Sequence, residues 1–170
     1  MRTLSELMTA KEDLPIIYCD MDQVLCNFMA GADKAAGGSF VTADKSERWQ
    51  KISDTKDFWA SLEWMPASKK LWQFIARYDT HILSAYSKRD SNSKPGKMKW
   101  LAKNTNIKRG NIHLVQRDQK QAYATKDGKP SVLVDDYIKN IKEWEQRGGI
   151  GVHHTSVNKT INRLKSLGYR

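Results

Sequence analysis

The stretch Ile16-Ile17-Tyr18-Cys19-Asp20-Met21-Asp22-Gln23-Val24-Leu25 constrains this chain more than any other. An apolar run ends abruptly in an acid, and a second acid follows one residue later. Carboxylates are poor strand formers and are costly to bury, so an acid that closes a buried strand is expected to have a use there. With the apolar run read as a central strand, Asp20 sits at its C-terminal end. In open α/β sheets that is the edge where ligands bind.

Four more apolar runs read as strands, at 80–83, 112–115, 131–134 and 150–153, with the first strand at 15–19. Helical stretches lie between them. One starts just after the acids and stops at Gly37-Gly38. One starts at Pro66, with Leu71, Trp72, Phe74, Ile75 and Tyr78 on its apolar face. One covers 97–103, with Met98 and Leu101 inward, after a Ser-, Lys-, Asn- and Pro-rich loop over 86–96. Another shows Ile138, Ile141 and Trp144 on one face and stops at Gly148-Gly149. The last runs over 156–167 with Ser156 as N-cap. Residues 1–13 read as a polar leader, and 127–130 as a turn. This alternation predicts an α/β fold built on a doubly wound parallel sheet. At 170 residues the chain suits a single domain, 1–170. Residues 29–66, crowded with Trp49, Phe58, Trp59, Leu62, Trp64 and Met65, read as a small helical insert after the first strand. That is more apolar bulk than so small an insert needs, so some of it is expected to face a ligand.

The polar residues that follow the strands are expected to meet at one edge. Strand one ends in Asp20, strand two in Ser84, and strand four in Asp135-Asp136, while Lys120 follows strand three. Clustered carboxylates repel each other unless a cation sits among them. Asp20 with Asp135 or Asp136 therefore implies a hard metal held by oxygen ligands, and Mg²⁺ suits a site shared with a phosphate. In that setting Asp20 is the expected nucleophile toward phosphorus. Asp22 is the expected acid and base, Ser84 a phosphate-binding hydroxyl, and Lys120 the group that neutralises phosphate charge.

The net charge of +10 permits attraction to nucleic acid or to phosphorylated small molecules, and a solvated basic surface explains it equally well. Cys19 and Cys26 match no zinc spacing and are expected to be reduced. His81, His113, His153 and His154 are not assigned to a metal. No run of 18 apolar residues and no signal-peptide pattern occurs, so no membrane association and a cytoplasmic location are expected.

The residues Asp20-Met21-Asp22-Gln23-Val24 resemble the first motif, DxDx[TV], of the haloacid dehalogenase-like phosphatase superfamily. Ser84 resembles its second motif, Lys120 its third, and Val132-Leu133-Val134-Asp135-Asp136 its fourth. The resemblance runs from about residue 15 to 155. It implies a Rossmann-like core with a small helical cap. Within that superfamily the chain is similar to the 5'(3')-deoxyribonucleotidases, on Phe28, on the Phe58-Trp59 pair and on Trp64-Met65-Pro66-Ala67. This implies Mg²⁺-dependent removal of phosphate from a (deoxy)nucleoside monophosphate through an aspartyl-phosphate. Phe28, Phe58 and Trp59 would form the base pocket, and Lys88 and Lys97 would reach the phosphate or sugar. Asp20, Asp136 and the main chain of Asp22 would hold the metal, while Asp135 would position Lys120. Ser84 stands where Thr is frequent. Ala85 stands where a second hydroxyl is frequent, which leaves that phosphate contact to a backbone N–H. Gln119 spaces Lys120 differently from the usual run. Two alternatives remain at this stage: a 3'-phosphatase acting on nucleic-acid ends, and a non-catalytic basic protein that binds nucleic acid on the same fold.

Overall fold

A computed structural model describes residues 3–6 and 13–170. The leader expected over 1–13 falls largely outside them. The five expected strands form one parallel sheet. In chain order they are β1 (Ile17–Cys19), β2 (Thr80–Ala85), β3 (Ile112–Val115), β6 (Val132–Asp135) and β7 (Ile150–His153), and they lie side by side as β3-β2-β1-β6-β7. Ile17 pairs with Thr80 on one side and with Val132 on the other, so β1 is central. A hairpin, β4 (Thr125–Lys126) with β5 (Lys129–Pro130), stands apart from the sheet. Its turn has positive φ at both Asp127 and Gly128, the geometry that an Asp-Gly pair favours.

Both sheet faces are covered, which is why β1 reads as an unbroken apolar run. Ile17, Cys19, Ile82, Val132, Val134 and Val152 belong to the larger core cluster. Tyr18, Leu83 and Leu133 join Ile141 and Trp144 in a second cluster. The helices are α1 (Phe28–Ala36), α2 (Lys45–Asp54), α3 (Ser68–Ile75), α4 (Ser93–Asn104), α5 (Ile138–Gln146) and α6 (Val157–Ser166). Ser156 caps α6 as expected, its Oγ accepting from the Lys159 N–H at 3.3 Å. Trp100 and Trp144 are fully buried, and each indole N–H finds a carbonyl, Leu62 at 2.7 Å and Ser131 at 3.0 Å. Cys19 and Cys26 are buried free thiols. No helix among the described residues is long and apolar enough to cross a membrane.

Several expectations are corrected. No helix starts directly after the acids. The N–H groups of Val24, Leu25 and Cys26 all turn back to the Met21 carbonyl, with Gln23 at positive φ, and helix begins only at Phe28 under an Asn27 cap. That folds Val24, Leu25 and Cys26 into the core as a turn. Helix α3 begins at Ser68, two residues after Pro66. Helix α4 begins at Ser93, four residues earlier than expected, because Pro95 falls in its first turn, where a missing N–H costs nothing. Its buried side chains are Ser93, Lys97, Trp100 and Leu101, while Met98 is only half-buried. On α5, Ile138 is exposed and Asn140 is buried instead.

The segment between β1 and β2 carries α1, α2 and a 3-10 turn, Trp59–Ser61. This turn packs on α4 at Gly96. A Cβ on Gly96 would lie 2.5 Å from the Trp59 Cβ, so glycine is required here for close approach rather than for its conformation. Alanine is otherwise about 1 kcal/mol better than glycine in a helix. Gly96→Ala is therefore expected to lower stability by about 1–3 kcal/mol despite the better propensity, as overpacking does. Urea unfolding followed by circular dichroism checks this, and unchanged or increased stability would contradict the packing account.

Candidate active site

Because all five strands are parallel, their C-terminal ends share one edge, and the expected residues meet there. The Asp20 N–H donates to the Val134 carbonyl at 2.9 Å, extending the β1–β6 pairing up to the acid. Asp20, Asp135 and Asp136 each offer a carboxylate oxygen, and these atoms lie within 4.8 Å of one another. Lys120 is almost wholly buried, and its Nζ reaches Asp20 Oδ1 at 3.1 Å and Asp135 Oδ2 at 2.8 Å. Burial alone would lower the Lys120 pKa. The Asp20 and Asp135 charges outweigh it and hold the ammonium above the ordinary lysine range. Lys120 rides on a 3-10 helix, Arg117–Tyr123. Gln119, which spaces it unusually, caps that helix by accepting from the Gln116 N–H at 2.8 Å.

The two neighbouring acids differ in their surroundings. Asp135 is fully buried and accepts from Lys120, from Asn140 Nδ2 at 3.0 Å and from the Tyr137 N–H at 2.9 Å. Asp136 is half-buried, and no other residue among those described donates to its carboxylate. Burial, then Asp20 and Asp135, push its pKa up to about 7. Among the described residues Asp20, Asp22, Asp135 and Asp136 face Lys97 and Lys120, so that with all four acids ionised two negative charges are unbalanced. A divalent cation with a preference for oxygen fits that deficit, with Asp20 and Asp136 holding the free donors.

Asp22 is held from the other side. Lys97, almost completely buried, donates to Asp22 Oδ2 at 2.8 Å and to Ser84 Oγ at 3.1 Å. Asp22 Oδ1 is buried with no hydrogen-bond partner among the described residues. Burial raises the Asp22 pKa and Asp20 adds to the rise, while Lys97 opposes it. Ser84 is fully buried, Ala85 ends β2, and Lys88 is exposed on the loop beyond.

Phe28, Phe58 and Trp59 come together. Phe28 stacks on Trp59 at 5.4 Å between centroids, and Phe58 meets both rings edge-on. Phe58 and Trp59 are buried and Phe28 is half-buried. Trp59 Nε1 donates to Asp90 Oδ2 at 2.7 Å, and the Lys97 ammonium lies 5.2 Å from the Trp59 ring centroid. These aromatics are thus continuous with the main core, with the ring cluster ending beside Lys97.

Two solved structures resemble this chain in fold. One is a hydrolase from Streptococcus pneumoniae TIGR4, 10% identical, with a TM-score of 0.54 over 89% of this chain and 98% of that chain. The other is a haloacid dehalogenase-like family hydrolase, SP0104 from Streptococcus pneumoniae, 11% identical, with a TM-score of 0.50 over 91% of both chains. The chain has the haloacid dehalogenase-like fold. No family model matches the chain, and no curated protein does.

On this haloacid dehalogenase-like fold several supporting residues were not foreseen. Arg117 donates to Asn140 Oδ1 at 3.1 Å and to Glu143 at 2.9 Å, so a chain of contacts runs from Glu143 through Arg117 and Asn140 to Asp135. The available signal was Asn140, a polar residue beside the apolar positions of α5. His153 Nε2 lies 2.9 Å from the Asp136 carbonyl and steadies that loop. Asp90 orients Trp59 from a loop whose composition suggests only solvent exposure.

The buried Lys97–Asp22 contact should be energetically coupled. Lys97→Met, Asp22→Asn and the double variant form a cycle expected to give about 1–3 kcal/mol of interaction energy in chemical denaturation. Additive single effects would mean that the contact contributes nothing.

Proposed function

We propose that this protein is a Mg²⁺-dependent phosphatase of (deoxy)nucleoside monophosphates that works through an aspartyl-phosphate. The observation that carries the reading is Lys120 lodged between Asp20 and Asp135, with Asp136 free of other donors beside them. That arrangement presents one carboxylate for attack, one ammonium for phosphate charge and an oxygen donor set for a cation. The two hydrolases that resemble it in fold and the motif resemblance support it further.

In this reading Asp20 attacks phosphorus, an acyl-phosphate bond forms, and the ester P–O bond breaks. Asp22, whose raised pKa favours the protonated form, gives its proton to the departing alkoxide. Asp22 then takes a proton from water, which attacks the same phosphorus and releases inorganic phosphate and Asp20. Lys120 offsets charge on the phosphoryl oxygens, and Asp135 holds Lys120 in line. Ser84 and the Ala85 N–H bind the phosphate, and Lys97 orients both Ser84 and Asp22. Mg²⁺, held by Asp20, Asp136 and the Asp22 main chain, would offset repulsion between the nucleophile and the phosphate. Phe28 would stack on the nucleobase, backed by Phe58 and Trp59, with Lys88 at the rim.

Phosphate release from nucleoside monophosphates is expected with Mg²⁺ and lost in excess chelator. Asp20→Asn is expected to reduce turnover at least about 10⁴-fold with the fold retained, since residues acting as a unit fail together. Wild-type-like release by Asp20→Asn removes the nucleophile assignment. Equal activity in chelator removes the metal. A clear preference for a 3'-phosphorylated oligonucleotide replaces the mononucleotide reading with one of end-processing.

A further inference from the structure

A second cleft lies at the opposite edge of the sheet, around the N-terminal end of β2. It encloses about 830 Å³, within the range of small-molecule sites. Thr80 lines it, whereas Ser84 of the catalytic edge lies four residues further along the strand, about 13 Å away. Its walls come from the segment leading into α3, from α3 itself, from the end of α4 and from the loop after it. Trp64, Trp72, Lys69, Lys103 and Lys108 all line it.

Two features of these walls point to a ligand. Trp64 and Trp72 are half-buried. The Trp64 Nε1 donates to Asn104 Oδ1 at 3.2 Å, which fixes that ring, while the Trp72 indole N–H has no acceptor among the described residues. The three lysines are exposed, and none pairs with an acid among the described residues. The acid lining the cleft, Asp79, is engaged by His81 Nε2 at 3.0 Å. Aromatic faces beside unpaired lysines suit a ligand that is flat and apolar at one end and multiply anionic at the other. Stacking platforms set in a positive groove are the general solution for single-stranded nucleic acid.

We infer that this cleft binds a nucleotide unit, with its base against Trp72 and Trp64 and its phosphate among Lys69, Lys103 and Lys108. The unit is supplied either by a single strand or by a free nucleotide. This site gives part of the +10 net charge a specific use. Its existence does not depend on the phosphatase reading.

The test is fluorescence anisotropy of a labelled short oligothymidylate in excess chelator, where the catalytic chemistry is silent. Lys69, Lys103 and Lys108 are changed together to Gln. These are exposed side chains remote from Asp20, so phosphate release and thermal stability are expected to stay at wild-type levels. The triple variant is expected to bind at least tenfold more weakly, with the slope of log affinity against log salt reduced by about 0.7 for the one phosphate these lysines hold. Asp20→Asn is expected to bind as wild type. Displacement of the strand by thymidine monophosphate would mark the free nucleotide as the source, and failure to displace would mark the strand; both agree with the site. Wild-type affinity in the triple variant overturns the inference, as does no binding to the wild-type protein. Altered binding in Asp20→Asn also overturns it, since the ligand would then lie at the catalytic edge.

Discussion

The structure depends on one ammonium group taken out of water. Lys120 is buried between Asp20 and Asp135, and its charge offsets the repulsion between the two carboxylates. A single cation shared by two anions is sensitive to position, and the protein fixes that position from several sides. A capped 3-10 turn supplies the lysine, and α5 supplies Asn140 to occupy the same oxygen of Asp135. Arg117 and Glu143 then lock Asn140. Each of these contacts is modest, but together they leave Asp135 committed to holding Lys120. Asp136 is the one acid of the pair still open to a ligand.

A second lysine divides the site into halves. Lys97 gathers Asp22 and Ser84 and lies over the face of Trp59. The aromatic segment and the polar site therefore meet at one side chain. The same helix carries Gly96, whose missing side chain lets Trp59 approach, and Asp90 just before the helix holds the indole by its N–H. The aromatic segment and the polar sheet edge share a support in α4.

The sheet and the meeting of four strand ends were legible because burial on both faces writes an unbroken apolar run, and a terminal acid stands out against it. Asp20, Ser84, Lys120 and Asp135 could be placed together from order alone, since parallel strands leave no other edge for them. Lys97 was harder to judge. A lysine following Ser, Lys, Pro and Gly reads as solvent-facing, and only the close approach of Trp59 at Gly96 draws that turn inward. The turn from Met21 to Asn27 was misread as helix because its apolar spacing fits one, while its hydrogen bonds converge on a single carbonyl. Asp90 acts through Trp59, distant in sequence, and a local pattern holds no trace of that pair, whereas Asn140 shows only as a polar residue beside the apolar positions of α5.

The central position of β1 also has a consequence in time. Its backbone is satisfied on one side by β2 and on the other by β6, whose register sets Ile17 against Val132. During synthesis β1 emerges before either neighbour, and β6 emerges only after β2 and β3. Until then the strand has an open edge, the kind of surface that draws other chains. Pairings this distant also fold slowly, because a long loop must close before any contact rewards it. The geometry that gathers four strand ends into one site thus leaves that site incomplete until β6 has paired.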